Sequence, residues 1–289
     1  MFRLNHVFAI ALSAFVAGTV SGKPDKGEPE PDAAVAKLIT SLHSANFRAR
    51  QDASNSLEKL GPPVLPALRK ALRGDAEVET KRRIEHIIGR IETGIMQAEE
   101  KLWKDFDAPR RGIRDRLIKI MAANPTLTDQ QVISAIYLVT AGRAPTEDEL
   151  KAGRTQLADS DVRAVGAARL ARPLVQGKEF NTELAVLNAR ILKAQADLHA
   201  DNELGSTLLK LNDPEKQKLI NDLGAATAKV VKSDEEIRDV TCLLTVSRYP
   251  RDTETPRIMD HLKRGGNRAA AVSDLYWALM STKEFLIRK

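Results

Sequence analysis

The chain holds 289 residues, with 45 Lys and Arg against 39 Asp and Glu, for a net charge of +6. One Cys excludes an internal disulfide framework and a Cys-based zinc ribbon, and five scattered His leave little material for a metal site. Aromatics are 4% of the residues, few for a protein that stacks on sugars or nucleobases, while 43% hydrophobic content suffices for one large or two ordinary cores.

Residues 1–22 have the anatomy of a secretory signal peptide. Arg3 is the positive end, 7–17 are apolar, and Val20-Ser21-Gly22 offers small residues for cleavage. The apolar stretch is short for a membrane span. No Cys follows it, so a lipoprotein anchor is not expected, and no later apolar run approaches 18 residues. Cleavage would leave an exported, soluble chain of charge +5. Residues 23–32, KPDKGEPEPD, read as a disordered linker.

Residues 33–94 show two helical hairpins about 30 residues apart. Val35, Leu38, Ile39 and Leu42 share one helical face, and Phe47, Ala53, Leu57 and Leu60 a second, before Gly61-Pro62-Pro63 closes the unit. Val64, Leu65, Leu68 and Leu72, then Val78, Ile84, Ile87, Ile88 and Ile91, repeat the pattern around a turn at Gly74-Asp75. Residues 95–127 are predicted to form a connecting basic helix.

Shifting the chain by 105 residues lays 128–180 over 233–289 without a gap as far as 285, with fourteen identities. They include Asp129/Asp234, Thr140/Thr245, Arg143/Arg248, Pro145/Pro250, Glu149/Glu254 and Arg163/Arg268, and end with Lys178-Glu179-Phe180 over Lys283-Glu284-Phe285. Both copies open on a capping box, Thr128-x-x-Gln131 and Ser233-x-x-Glu236. Each reads as three short helices, the first halted at Arg-x-Pro. Between the copies, at 181–232, Leu184, Leu187, Ile191, Ala194 and Leu198 predict an amphipathic helix that pairs with 219–231 as a hairpin insert. No segment alternates apolar and polar residues, so the expected fold class is all-α.

The front segment FRARQDASNSLEKLGPPVLPALRKAL resembles HEAT-type repeats. LYWALMSTKEFLIRK at 275–289, with IYLVTAGRAPTEDEL at 136–150 and LLTVSRYPRDTET at 243–255, resembles paired domains of unknown function in large exported planctomycete-type proteins. Those proteins often carry a cytochrome c-like domain; the haem-attachment Cys-x-x-Cys-His is missing here, so electron transfer is not carried over. Tyr249 and Arg251 also stand where small residues or Thr are typical of the family. A second resemblance is to secreted and surface-layer-associated modules related to phycobilisome linkers. Both imply assembly or surface roles, and neither brings a catalytic residue set.

Several residues have a functional and a structural reading. Arg143 and Arg248 could hold an anion; they are expected instead to cap a helix or to pair with Glu179 and Glu284. Phe180 and Phe285 are expected to plug their modules. The run Arg110, Arg111, Arg114, Arg116 and Lys119 is the densest positive stretch, expected as a solvated face open to an anionic partner, with nucleic acid disfavoured by export. His43, His86, His199 and His261 lack ligand spacing, and Cys242 reads as an inert buried thiol. No cofactor is expected. The composite expectation is an exported, non-catalytic scaffold with a protein partner. An accessory subunit of a surface polysaccharide-processing or redox system, or an enzyme whose site is scattered in sequence, is the alternative.

Overall fold

The computed structural model describes residues 31–158, 160, 162–200 and 214–287, with side chains except at 31–32, 197–200, 215 and 286–287. The leader expected at 1–22 and most of the linker lie outside the described residues. The chain is all-α: no strand occurs among the described residues.

Four helices build the front: α1 Pro31–Ser41, α2 Phe47–Leu60, α3 Leu65–Arg73 and α4 Val78–Lys101. Asn46 starts α2 by accepting the Arg48 N–H at 2.8 Å, and Gly61, at φ 72°, ends it. Leu42, Ala53, Leu57, Leu65, Leu68, Ile84, Ile87 and Ile91 close a core of their own. Three of the residues expected inside are not. Phe47, Leu60 and Val78 are exposed, because each sits at a helix terminus beyond the reach of the neighbouring helix. The boundary expected at 94/95 falls inside α4, which runs unbroken for 24 residues; the chain breaks only after Lys101. Pro31 likewise opens α1, so the expected linker ends before it.

The rest shares one larger core. Its helices are α5 Ala108–Ala123, α6 Asp129–Ala141, α7 Glu147–Ala158, α8 Arg163–Gln176 and α9 Thr182–Ala200. Then come α10 Pro214–Val230, α11 Asp234–Thr245, α12 Thr255–Arg264, α13 Arg268–Met280 and the short α14 Lys283–Ile287. In copy 1, α6, α7 and α8 pack on one another; in copy 2, α11, α12 and α13 do the same. The insert expected as a self-contained hairpin is instead divided. α10 packs chiefly on α13, as α5 packs on α8, while α9 lies mainly along α5. The duplicated unit is therefore four helices, one more than the sequence repeat shows. A Cβ on Gly224 would stand 2.8 Å from the Ala269 carbonyl, so α10 and α13 meet backbone to backbone.

The two units face each other through α6 and α11 in a reciprocal way. The Ala144 N–H donates to Glu236 Oε1 at 2.9 Å, and the Tyr249 hydroxyl donates to the Gln131 carbonyl at 2.8 Å. Residues 144 and 249, like 131 and 236, are 105 apart, so the same pair of positions meets in each direction, through different groups. The helix ends cross in a similar way, one residue out of register: Asn124, after α5, reaches Ser247 of copy 2, and Val230, ending α10, packs on Gly142 of copy 1. This is the signature of an isologous two-fold interface, here closed within one chain.

Candidate functional site

The repeated motif residues form one clamp in each copy. α6 ends at Gly142 in the left-handed region, φ 71°, which aims the next residue, Arg143, across the module. Its Nη1 and Nη2 donate to Glu149 at 2.9 and 2.8 Å, its Nε donates to Glu179 at 3.2 Å, and Nη1 also donates to the Ala144 carbonyl. Glu149 in turn accepts the Thr146 N–H at 2.7 Å. In copy 2, Arg248 donates to Glu254 at 2.7 and 2.8 Å, to Glu284 at 2.8 Å and to the Tyr249 carbonyl at 2.9 Å. Glu254 accepts the Arg251 N–H at 2.8 Å. Pro145 and Pro250 lie in the bend between Arg and the Glu-bearing segment, where neither a helical N–H nor φ freedom is needed. The Arg143 hydrogen bonds hold the Glu149 carboxyl down at about 2, and those of Arg248 lower Glu254.

Other identities have the same kind of explanation. Asp129 pairs with Arg163 at 2.8 Å and Asp234 with Arg268 at 3.3 Å. The buried Thr140 and Thr245 hydroxyls each donate to the carbonyl four residues back, both at 2.6 Å. Lys178 and Lys283 are exposed. Phe285 is fully buried, whereas Phe180 is half-buried with the Arg110 guanidinium 4.7 Å from its ring centre.

The basic run does not form the single solvated face expected of it. Successive helical residues turn about 100°, so positions 110, 111, 114, 116 and 119 point several ways. Arg110 donates to the Val175 carbonyl at 3.0 Å, and Arg111 to the Phe106 carbonyl at 2.8 Å. Arg114 lies against Asp115 and Glu100, Lys119 is exposed, and Arg116 is wholly buried. A patch that reads an acidic polymer cannot include Arg116.

Arg116 anchors a buried polar network instead. Its Nε donates to Asn188 Oδ1 at 2.8 Å and its Nη1 to Ser247 Oγ at 3.0 Å. Asn124 Nδ2 donates to the Ser247 carbonyl at 2.7 Å, and Gln195 Nε2 to the Thr245 carbonyl at 2.8 Å. The buried Tyr276 and Thr227 hydroxyls share a hydrogen bond of 2.9 Å. Arg116 has no carboxylate among its described partners. Its Nη2, with Asn188 Nδ2 and Gln195 Oε1, is buried without a hydrogen bond. Burial pushes the guanidinium down to about 9, so it remains charged at neutral pH. This network breaks the internal symmetry: Ser247, at φ 54°, occupies the left-handed position that Gly142 fills in copy 1. Its hydroxyl is what the network gains from giving up glycine there. Ser247→Ala is therefore expected to lower thermal stability more than Ser247→Gly, since alanine keeps the strain and loses the hydroxyl. Equal melting temperatures for the two variants would refute this account.

A groove of about 490 Å³ lies where the front meets copy 1. Pro62, Ile91, Ile95 and Ala98 line it, with Arg90 and Arg169 on its rim. Beside it Glu99, 3% exposed, accepts Arg169 Nε and Arg172 Nη1, each at 3.3 Å, and Trp103 Nε1 at 3.2 Å. This buried carboxylate joins α4 to α8. Neither Glu99 nor the groove was singled out from sequence, because their parts come from α2, α4 and α8.

His43 contacts Thr80 at 3.3 Å, His261 contacts the Ala271 carbonyl at 3.0 Å, and His86 is exposed; the His199 side chain is outside the described residues. Among the described residues no cluster of three or more His, Cys, Asp or Glu could hold a metal ion. No described helix is long and apolar enough to cross a membrane. Cys242 is fully buried, which pushes its thiol up to about 12. In native protein it is expected to resist a thiol-specific disulfide reagent and to react fully once unfolded; rapid native labelling would show that this helix opens locally. Comparison with protein-family profiles, curated proteins and solved structures finds no match to this chain.

Proposed function

We propose that this chain is an exported, non-catalytic helical scaffold that holds a protein partner. The observation that supports the reading is the use made of the repeated charges. Arg143 and Arg248 are each committed to two carboxylates of their own module, as a structural joint requires and as an anion receptor would avoid. The groove between α2, α4 and α8 lies at the meeting of two cores, a setting in which binding clefts form. The likeness of the front to HEAT-type repeats and of the duplicated copies to domains of exported planctomycete-type proteins points the same way, as does the leader-like 1–22 segment.

Two measurements test this reading. Mass analysis of the protein recovered outside the cytoplasm should show a chain beginning near residue 23; an intact Met1 would remove export. Light scattering after size exclusion, with a pull-down from the exported fraction, should reveal a stoichiometric protein partner. A monomer that retains nothing would remove the scaffold role.

A further inference from the structure

Most of the burial pattern of α8 recurs on α13, and one stripe changes from covered to open. With the shift of 105, buried positions 166–168, 170, 171 and 175 fall on buried 271–273, 275, 276 and 280. Two of the departures share a stripe: Val165, buried, against exposed Ala270, and half-buried Arg172 against Trp277, which is 47% exposed. Between them, Arg169 corresponds to Asp274. Spacings of four and three place these positions on one helical face.

In copy 1 this face is where α4 docks, presenting Glu99 to Arg169 and Arg172 and Met96 beside Val165. In copy 2 no helix among the described residues lies over the corresponding exposed positions, Ala270, Asp274 and Trp277. The helix that precedes α10, as α4 precedes α5, is α9, and it is engaged along α5, α6 and α10. Trp103, the other tryptophan, is 1% exposed, and Trp277 is the most exposed aromatic ring among the described residues of the two copies. Its sequence neighbour on the face is acidic: Asp274 has a side chain 72% exposed, with His261 Nε2 3.9 Å away as its described ionic neighbour.

We propose that this face of α13 docks an amphipathic helix of a partner protein that carries one basic residue opposite Asp274, held as α8 holds α4 but with the charge at that position reversed. The partner presents a Lys or Arg to Asp274 where α4 presents Glu99, and an apolar side chain to Trp277. A tryptophan at the centre of a small contact is the residue type that dominates binding when desolvated. The inference rests on the scaffold reading and names one surface for it.

The test uses the full chain and a peptide of residues 85–101 carrying E99K, which contains no Trp. Trp277 emission should shift to the blue with a saturable Kd of about 10–100 μM, as suits a small transient contact. The peptide with Glu99 retained should bind about fivefold more weakly, the scale of one exposed ion pair. Asp274→Lys should reverse that order. No saturable change up to about 1 mM, or an order unaffected by Asp274→Lys, would overturn the proposal. So would a wild-type dimer in sedimentation that Trp277→Ala abolishes, since a second copy would then be the occupant. In the pull-down, a Trp277→Ala/Asp274→Lys variant that melts like wild type should lose the partner. If it retains the partner in full, this surface is wrong while the scaffold reading stands.

Discussion

Replacing Arg248 by alanine is expected to cost about 2–3 kcal/mol of unfolding free energy, the scale of losing charge-assisted hydrogen bonds at a mostly buried group. The Arg248 side chain is 11% exposed, and its removal takes the closest hydrogen bonds from Glu254 and Glu284, 30% and 23% exposed, leaving the Arg251 guanidinium 3.6 Å from each. Arg143→Ala removes the same bonds in the other copy at a cost of about 1 kcal/mol, because Arg143 is 34% and Glu179 65% exposed and water screens what remains. Urea denaturation of the two variants measures the difference directly. Equal losses would mean that burial does not govern the clamp. The clamp also sets the acid response. The Glu149 carboxyl lies at about 2 when folded, below its ordinary 4.5, so its pairing contributes in full above pH 4.5 and is lost as pH falls toward 2. Arg143→Ala should flatten the stability curve in that window and leave its shape near neutrality unchanged.

Arg116→Ala is expected to cost about 3–5 kcal/mol, and Arg116→Met to recover at least about 2 kcal/mol of that loss. Alanine opens a cavity among α5, α9 and Ser247 and leaves Asn188 and Ser247 without their donor. Methionine loses the same two hydrogen bonds but keeps the volume and removes a buried charge that has no described carboxylate to offset it. Calorimetry or urea melts decide this. If methionine is as damaging as alanine, the hydrogen bonds of Arg116 outweigh the cost of burying its charge.

The repeat was legible because its contacts are local or internal to a module. Asp129 meets Arg163, and Arg143 meets Glu149 and Glu179, within one 53-residue copy, so the same interactions left the same residues at a fixed spacing. The capping boxes, at three-residue range, are present in both copies as read. Arg116 was misjudged because its surroundings come from α9, 72 residues away, and from Ser247, 131 residues away. One clue was present: a serine aligned with Gly142 at a helix end. The fourth helix of the unit was missed for a different reason. α5 and α10 share the packing role without sharing a residue pattern, since α5 offers Ile113 and Leu117 where α10 offers Ile220 and Gly224.

By itself the amino-acid order determined the helical class, the positions of most helix starts and stops, and the existence of two related modules. Those properties follow from capping chemistry and apolar periodicity, which act over a few residues. Only the tertiary structure decided that the copies meet as a pseudo-two-fold pair, that Arg116 belongs to the core and Trp277 to the surface, and that α4 covers one copy and leaves the other bare. Burial of a side chain depends on which distant helix lies over it, and a helical repeat specifies the face without specifying its neighbour.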